Sequence, residues 1–220
     1  MDYSFSSIRY NKKSKEVVDE FSLGFKKTNT WWIVENLEKD SGLFDKNWEN
    51  SIKKIRNYCQ KTNLPAWNIP QKKGFFRNLV VRKSVLNNNF LIELITSSEN
   101  IKKFKPKEFC QKILNLHPNR IEGIIHTIND NISDRVDYSK VNSKLLFGLN
   151  KISEKILNLK FEISMNSFFQ TNPKSAEKLY SKVYKYLFEE NISKNEVILD
   201  LFCGTGTITQ IIASKNPKLK

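Results

Sequence analysis

The sequence predicts an α+β domain followed by the opening of a Rossmann-like, doubly wound α/β domain, with the boundary near residue 165. Three observations predict it. Short β-type runs dominate the first part and are interrupted by only two segments of helical period. A helix start at Asn172-Pro173 then leads to an apolar run, Val197-Ile198-Leu199, and a two-glycine bend, Gly204-Thr205-Gly206. Helix, strand, glycine turn and helix, in that order, is how a parallel α/β sheet begins.

In the first domain, residues 1–165, the runs Val17-Val18, Phe21-Ser22-Leu23-Gly24-Phe25 and Trp31-Trp32-Ile33-Val34 are of strand type. Residues 48–60 read as a helix with Ile52, Ile55 and Cys59 on one face. Gly74 opens a strand over 75–82, and Asn87-Asn88-Asn89 turns it into a second over 90–95. That pair is the clearest hairpin signal, because asparagine tolerates the positive φ of a tight turn. Residues 107–116 predict a helix with Phe109, Ile113 and Leu116 in register, ended by Pro118. Strands over 123–128, 145–148 and 161–164 come next, with a loop at Asn129-Asp130-Asn131. His126 reads as an alternating strand residue rather than a ligand.

In the second domain, residues 166–220, Asn172 caps a helix and Pro173 occupies its first turn. Its stripe is Leu179, Val183, Tyr186 and Leu187. Residues 197–201 form the buried strand that enters the bend. The chain reaches Lys220 soon afterwards, so the expectation is an incomplete α/β domain.

The 220 residues are 39% hydrophobic, with 15 Phe, which suffices for a packed core and argues against global disorder. No apolar run approaches the ~18 residues that span a membrane. The start, Met1-Asp2-Tyr3-Ser4-Phe5, lacks the basic and apolar regions of a signal peptide, so the expected location is the cytoplasm. Cys59, Cys110 and Cys203 form no C-x-x-C pair, and His117 and His126 are the only histidines. No metal site or disulfide framework is read from that set.

The formal charge is +14, and it is unevenly placed: residues 51–116 carry 14 basic and 3 acidic side chains, while residues 1–50 carry 8 and 9. A bias toward lysine would spread the excess more evenly. A local excess attracts polyanions by releasing their counterions. Nucleic acid is therefore the expected partner, with Lys53, Lys54, Arg56, Arg77, Arg82, Lys102 and Lys103 as candidate contacts.

The bend reads Asp200-Leu201-Phe202-Cys203-Gly204-Thr205-Gly206-Thr207. It is not a dinucleotide fingerprint, since Thr209 stands where the third glycine would fall. It is not a phosphate loop either, since no G-K-[ST] comes after it. An acidic residue at a strand end suits a ligand with a cationic sulfonium and an amino-acid tail, such as S-adenosylmethionine. Cys203 reads as a small residue in tight space rather than a nucleophile. Upstream, Ser167-Phe168-Phe169-Gln170-Thr171-Asn172 sets paired aromatics beside amides, a combination of stacking surface and hydrogen-bonding groups.

Together these segments resemble the uracil-5 RNA methyltransferases. The resemblance rests on Ser-Phe-Phe-Gln-Thr-Asn, the helix containing Glu177-Lys178-Leu179-Tyr180, and Val-Ile-Leu-Asp-Leu-Phe-Cys-Gly-Thr-Gly-Thr. It extends upstream to Leu23-Gly24-Phe25-Lys26, to Phe76-Arg77-Asn78-Leu79-Val80-Val81-Arg82, and to the runs at 145–148 and 161–164. It covers most of the chain. It implies methylation of carbon 5 of uridine with S-adenosylmethionine, and the hairpin region is more similar to the ribosomal-RNA branch, hence 23S RNA, than to the transfer-RNA branch. It also implies that Gln170, Phe202 and Thr207 contact the cofactor, while Asp200, Gly204 and Gly206 shape the loop. Thr207 stands where many relatives have Asn.

Two departures qualify the resemblance. Many relatives hold an iron–sulfur cluster with a cysteine shortly after the early Gly-Phe segment, where this chain reads Glu38-Lys39-Asp40-Ser41-Gly42-Leu43. No cluster is expected from this chain. The family's nucleophilic cysteine and general base lie beyond the first cofactor motif, and its N-terminal β-barrel precedes the segments matched here. The chain is therefore expected to be an internal fragment, inactive alone. The implied chemistry is covalent: a thiolate adds to carbon 6 of a uracil swung out of the RNA, carbon 5 takes the methyl group, and a base removes the carbon-5 proton. The competing reading is a non-catalytic RNA-binding protein with a relic cofactor loop. A third is an amino-methyltransferase of the same cofactor class, which would carry an Asn- or Asp-Pro-Pro-aromatic segment further on.

Overall fold

Tyr3 and Phe5 face the same side of the first strand, β1 (Asp2–Asn11), and both are buried in the core. Their alternation is the sequence signal for a strand that the runs further along overshadowed. The computed structural model describes residues 1–133, 136–189 and 197–215. It divides into two units: Met1–Lys83 with Asn88–Ile152, and Ser84–Asn87 with the residues from Ser153 onward.

The first unit is built on a seven-stranded mixed sheet of order β2-β3-β1-β4-β5-β6-β7. The strands are β2 (Glu16–Lys26), β3 (Val34–Asn36), β4 (Phe76–Lys83), β5 (Phe90–Thr96), β6 (Ile121–Ile128) and β7 (Asn142–Gly148). The two runs at 17–18 and 21–25 are one strand. Trp31 and Trp32 fall in a turn, closed by the Lys27 N–H on the Ile33 carbonyl, with Asn29 at φ 63°, so β3 starts only at Val34.

β4 and β5 pair antiparallel from Phe76 opposite Thr96 to Lys83 opposite Phe90, and Asn88 takes φ 61° in the connection. β5 and β6 are parallel and are joined through α3 (Pro106–Leu116), as a crossover requires. The expected helix over 48–60 is two pieces, α1 (Lys46–Glu49) and α2 (Ile52–Lys61). The break arises at Ser51, whose hydroxyl donates to the Trp48 carbonyl at 2.7 Å, a local bond that competes with helix continuation.

Ile52, Ile55 and Cys59 of α2 are buried as their spacing predicts, as are Phe109 and Ile113 of α3. They pack with Leu79, Val81, Phe90, Ile92 and Leu94 of the sheet. Burial of each large apolar side chain there contributes roughly 1.5–3 kcal/mol. β5 is buried along its whole length. Phe90, Ile92 and Leu94 join the core cluster, while Glu93, on the other side of the pleat, accepts from the Thr127 and Tyr138 hydroxyls.

The second unit contains β8 (Lys151–Ile156), which enters it at Ser153, then β9 (Leu159–Ser164), α4 (Pro173–Glu189) and α5 (Thr207–Lys215). β8 and β9 form a two-stranded sheet. The Ser84 hydroxyl donates to the Ser153 carbonyl at 2.7 Å, and the Val85 N–H to Glu154 Oε2 at 2.7 Å. This unit begins upstream of residue 165 because the β8–β9 hairpin packs with the loop that leads into α4: the rings of Phe161 and Phe169 lie 5.6 Å apart.

Asn172 caps α4 as expected, its side-chain oxygen accepting from the Ser175 N–H at 3.0 Å. The buried face of α4 is Pro173, Ala176 and Tyr180, whereas Leu179 and Tyr186 of the expected stripe are exposed. The stripe rule finds an apolar face, but the docking partner selects which face is covered.

The expected strand at 197–201 is not formed. Val197, Leu199 and Leu201 are 68%, 76% and 75% exposed, and no described strand pairs with them. A parallel strand needs neighbours for its backbone and helices for both faces, and none of these lies alongside among the described residues.

Candidate functional site

Asp200 ends the exposed run, and its Oδ2 accepts from the Thr209 hydroxyl at 2.6 Å and the Thr209 N–H at 3.3 Å. The carboxylate therefore holds the bend against the first turn of α5, where orphan N–H groups favour negative charge. Between them the chain reverses sharply. Phe202, Gly204 and Gly206 take φ 62°, 56° and 67°, and the Gly206 N–H donates to the Cys203 carbonyl at 2.8 Å.

A Cβ added at Gly204 would meet no described atom, and one at Gly206 only the Gln210 amide at 3.5 Å. The glycines are needed here for left-handed backbone rather than for relief of a protein clash. Phe202 is a left-handed non-glycine whose ring is fully exposed.

Thr207 is buried at the start of α5 and its hydroxyl shares a hydrogen bond with that of Thr205 at 2.9 Å. It shapes the turn from inside. Gln170 lies in the loop between β9 and α4, half-buried, and its amide takes no hydrogen-bond partner among the described residues. Phe168 beside it is exposed while Phe169 is buried. The pair thus divides into one ring for the core and one for solvent. Cys203 is exposed. Burial pushes the thiols of Cys59 and Cys110 up, the opposite of what a nucleophile needs.

The basic candidates separate on burial. Arg77 is 2% exposed, and its guanidinium donates to the carbonyls of Asn129 and Asn131, each at 2.6 Å, and of Ser133 at 2.9 Å. It also lies over the Trp67 ring at 4.2 Å. Arg56 is buried and donates to Glu38 at 2.8 Å. Both arginines are committed to the fold. Arg82 is half-buried; burial lowers its pKa against the opposing influence of Tyr138 and Glu93. Lys53, Lys54, Lys102 and Lys103 are exposed, with Lys53 3.1 Å from Glu38. Charge counting along the sequence had no way to separate these classes. Among the described residues no cluster of three His, Cys, Asp or Glu could hold a metal, and no helix is long and apolar enough to cross a membrane.

No family model matches the chain. It is 38% identical over 201 residues to a Clostridium acetobutylicum protein described as an uncharacterized RNA methyltransferase, a match covering 91% of this chain and 42% of that protein. Proteins described in the same way from Clostridium tetani and Caldanaerobacter subterraneus are 40% and 34% identical over 178 and 213 residues, covering 80% and 97% of this chain and 38% and 44% of theirs. The chain thus spans about two-fifths of the length of the curated relatives it matches. Among solved structures, it is similar to the Pyrococcus abyssi tRNA (uracil-54, C5)-methyltransferase in complex with S-adenosyl-L-homocysteine, with a TM-score of 0.68 and 23% identity over 98% of this chain and 46% of that one. At that identity the likeness concerns the fold.

Proposed function

We propose, for a chain homologous over nearly all its length to bacterial RNA methyltransferases, that it forms part of an enzyme methylating carbon 5 of uridine in RNA with S-adenosylmethionine, 23S ribosomal RNA being the favoured substrate. The single observation that carries this reading is the bend: a carboxylate capping α5, two left-handed glycines with open space beside them, and a fully exposed, left-handed Phe202. It comes after Ser167-Phe168-Phe169-Gln170 in the order the family resemblance implies.

The residues present fit the donor. Phe202 offers a ring to cover an adenine, and Asp200 keeps its second oxygen for a cationic or hydroxyl-bearing group. Gln170 brings an uncommitted amide. The bound donor would supply an electrophilic methyl group. The residues from Ser153 onward are, in this reading, the opening of the methyltransferase domain. Cys59 and Cys110 are buried with raised pKa values, and the exposed Cys203 belongs to the bend itself. On the family resemblance the thiolate comes from none of the three, so these 220 residues by themselves are expected to be inactive.

The test is mass spectrometry of ribosomal and transfer RNA from the host after deletion of the gene. Loss of one 5-methyluridine from 23S RNA is the expected result. Loss from transfer RNA instead would keep the chemistry and overturn the substrate. An unchanged 5-methyluridine inventory would reject the reading and favour an RNA-binding protein with a relic loop.

A further inference from the structure

α2 and α3 pack into one core and meet through Tyr58 and Phe109, whose ring centroids are 6.3 Å apart. Phe109 is buried, whereas Tyr58 is half-buried, at the border between core and solvent. Helical spacing puts Ile55 and Cys59 on the core side of Tyr58 and the exposed Lys54 and Lys61 on its solvent side, one turn before and one turn after. Lys105, the residue that caps α3, and the half-buried Lys112 are spaced in the same way about Phe109. Glu108, whose charge acts on the Tyr58 phenol, is the acidic residue on this seam, and it pairs with Lys105 at 3.0 Å. Lys54, Lys61 and Lys112 have no ion-pair partner among the described residues. Lys102 and Lys103, both exposed, sit on the short 3-10 turn (Ile101–Lys103) that leads into α3.

We propose that the seam between α2 and α3 is a docking groove for the phosphate backbone of RNA, with Lys54, Lys61 and Lys112 neutralising phosphates and the Tyr58 hydroxyl donating from its floor. Three cations without ion-pair partners, carried by two helices that meet at the half-buried Tyr58, suit a chain of anions, and contacts to phosphate position RNA without reading its sequence. Burial, with Cys59 and Glu108 nearby, pushes the Tyr58 phenol up to about 12, so it remains a donor at neutral pH. The groove orients RNA irrespective of sequence. The inference rests on RNA being the partner, as proposed above, and is independent of methyl transfer.

The test is binding of the 220-residue chain to a fluorescent RNA hairpin across a sodium chloride series. The variant K54Q/K61Q/K112Q should lower the slope of log affinity against log salt by about 2–3 and weaken binding about tenfold or more at low salt, since each phosphate contact contributes about 0.7–0.9 to that slope. A control, K13Q/K15Q/K160Q, removes the same charge from exposed positions elsewhere and should leave most of the slope. Tyr58→Phe should weaken binding severalfold with the slope unchanged. An unchanged slope in the seam variant, or an equal loss in the control, would overturn the groove. Failure of the methylation reading would look different: unchanged cellular 5-methyluridine with the seam's effect on binding intact.

Discussion

The hydroxyl of Ser51 and Nε2 of His117 lie 2.8 Å apart in the core, with the imidazole stacked on Trp48 at 4.7 Å. Because Ser51 already donates to the Trp48 carbonyl, its oxygen must accept from His117, which fixes the neutral Nε2–H tautomer. Burial, with Arg120 adding to it, lowers His117 from the ordinary 6.5 to about 4. His126 is also held at about 4, by burial and Lys144, and its Nε2 faces Thr96 Oγ1 at 2.9 Å. Both rings stay uncharged in the folded state well below the pH at which the unfolded chain protonates. Stability is therefore complete above about pH 6.5 and declines as pH falls toward 4, because the unfolded chain binds the extra protons. Unfolding free energies from urea titrations at steps from pH 7.5 to 4.5 should fall through that window, by on the order of 1–3 kcal/mol per histidine. His117→Gln should flatten part of the decline.

Arg77 reads as an RNA contact along the sequence but is used inside the fold. Arg77→Ala leaves three carbonyl acceptors without their donor and uncovers Trp67. The expected cost is about 2–4 kcal/mol in chemical denaturation. RNA affinity of the molecules that remain folded should stay within twofold of the parent. A large loss of affinity with unchanged stability would reverse this assignment.

At Gly123 in β6 a Cβ would lie 1.7 Å from the Leu149 carbonyl oxygen, which is backbone and cannot step aside. Gly123→Ala should force β7 away from β6 and destabilise the first unit by about 3 kcal/mol or more. Amide exchange should quicken first along residues 142–148. Gly42→Ala, where nothing lies within 4 Å but φ is 75°, should cost only about 1 kcal/mol.

Asn172→Ala removes the side-chain oxygen that accepts from the Ser175 N–H. A loss of about 1 kcal/mol is expected, seen as faster exchange in the first turn of α4. Asn172→Asp should retain the cap, and equal losses in both variants would show that the cap does not contribute.

The elements that local rules describe are legible in the amino-acid sequence alone. The buried faces of α2 and α3, the β4–β5 hairpin through Asn88 and the Asn172 cap are set by spacing, turn chemistry and capping, which act within a few residues. The left-handed glycine bend after Asp200 is legible for the same reason, because φ above zero is a local demand. Partnership across distance is decided only by the tertiary structure. Which face of α4 is covered, whether 197–201 finds a neighbouring strand, and which basic residues are consumed by carbonyls and carboxylates all depend on groups far away along the chain. Arg77 and Lys54 carry the same formal charge in the same basic stretch; one lies over the Trp67 ring against three carbonyls and the other is exposed to solvent one turn from Tyr58. Desolvation and hydrogen-bond satisfaction separate them, and those are properties of packing rather than of residue type.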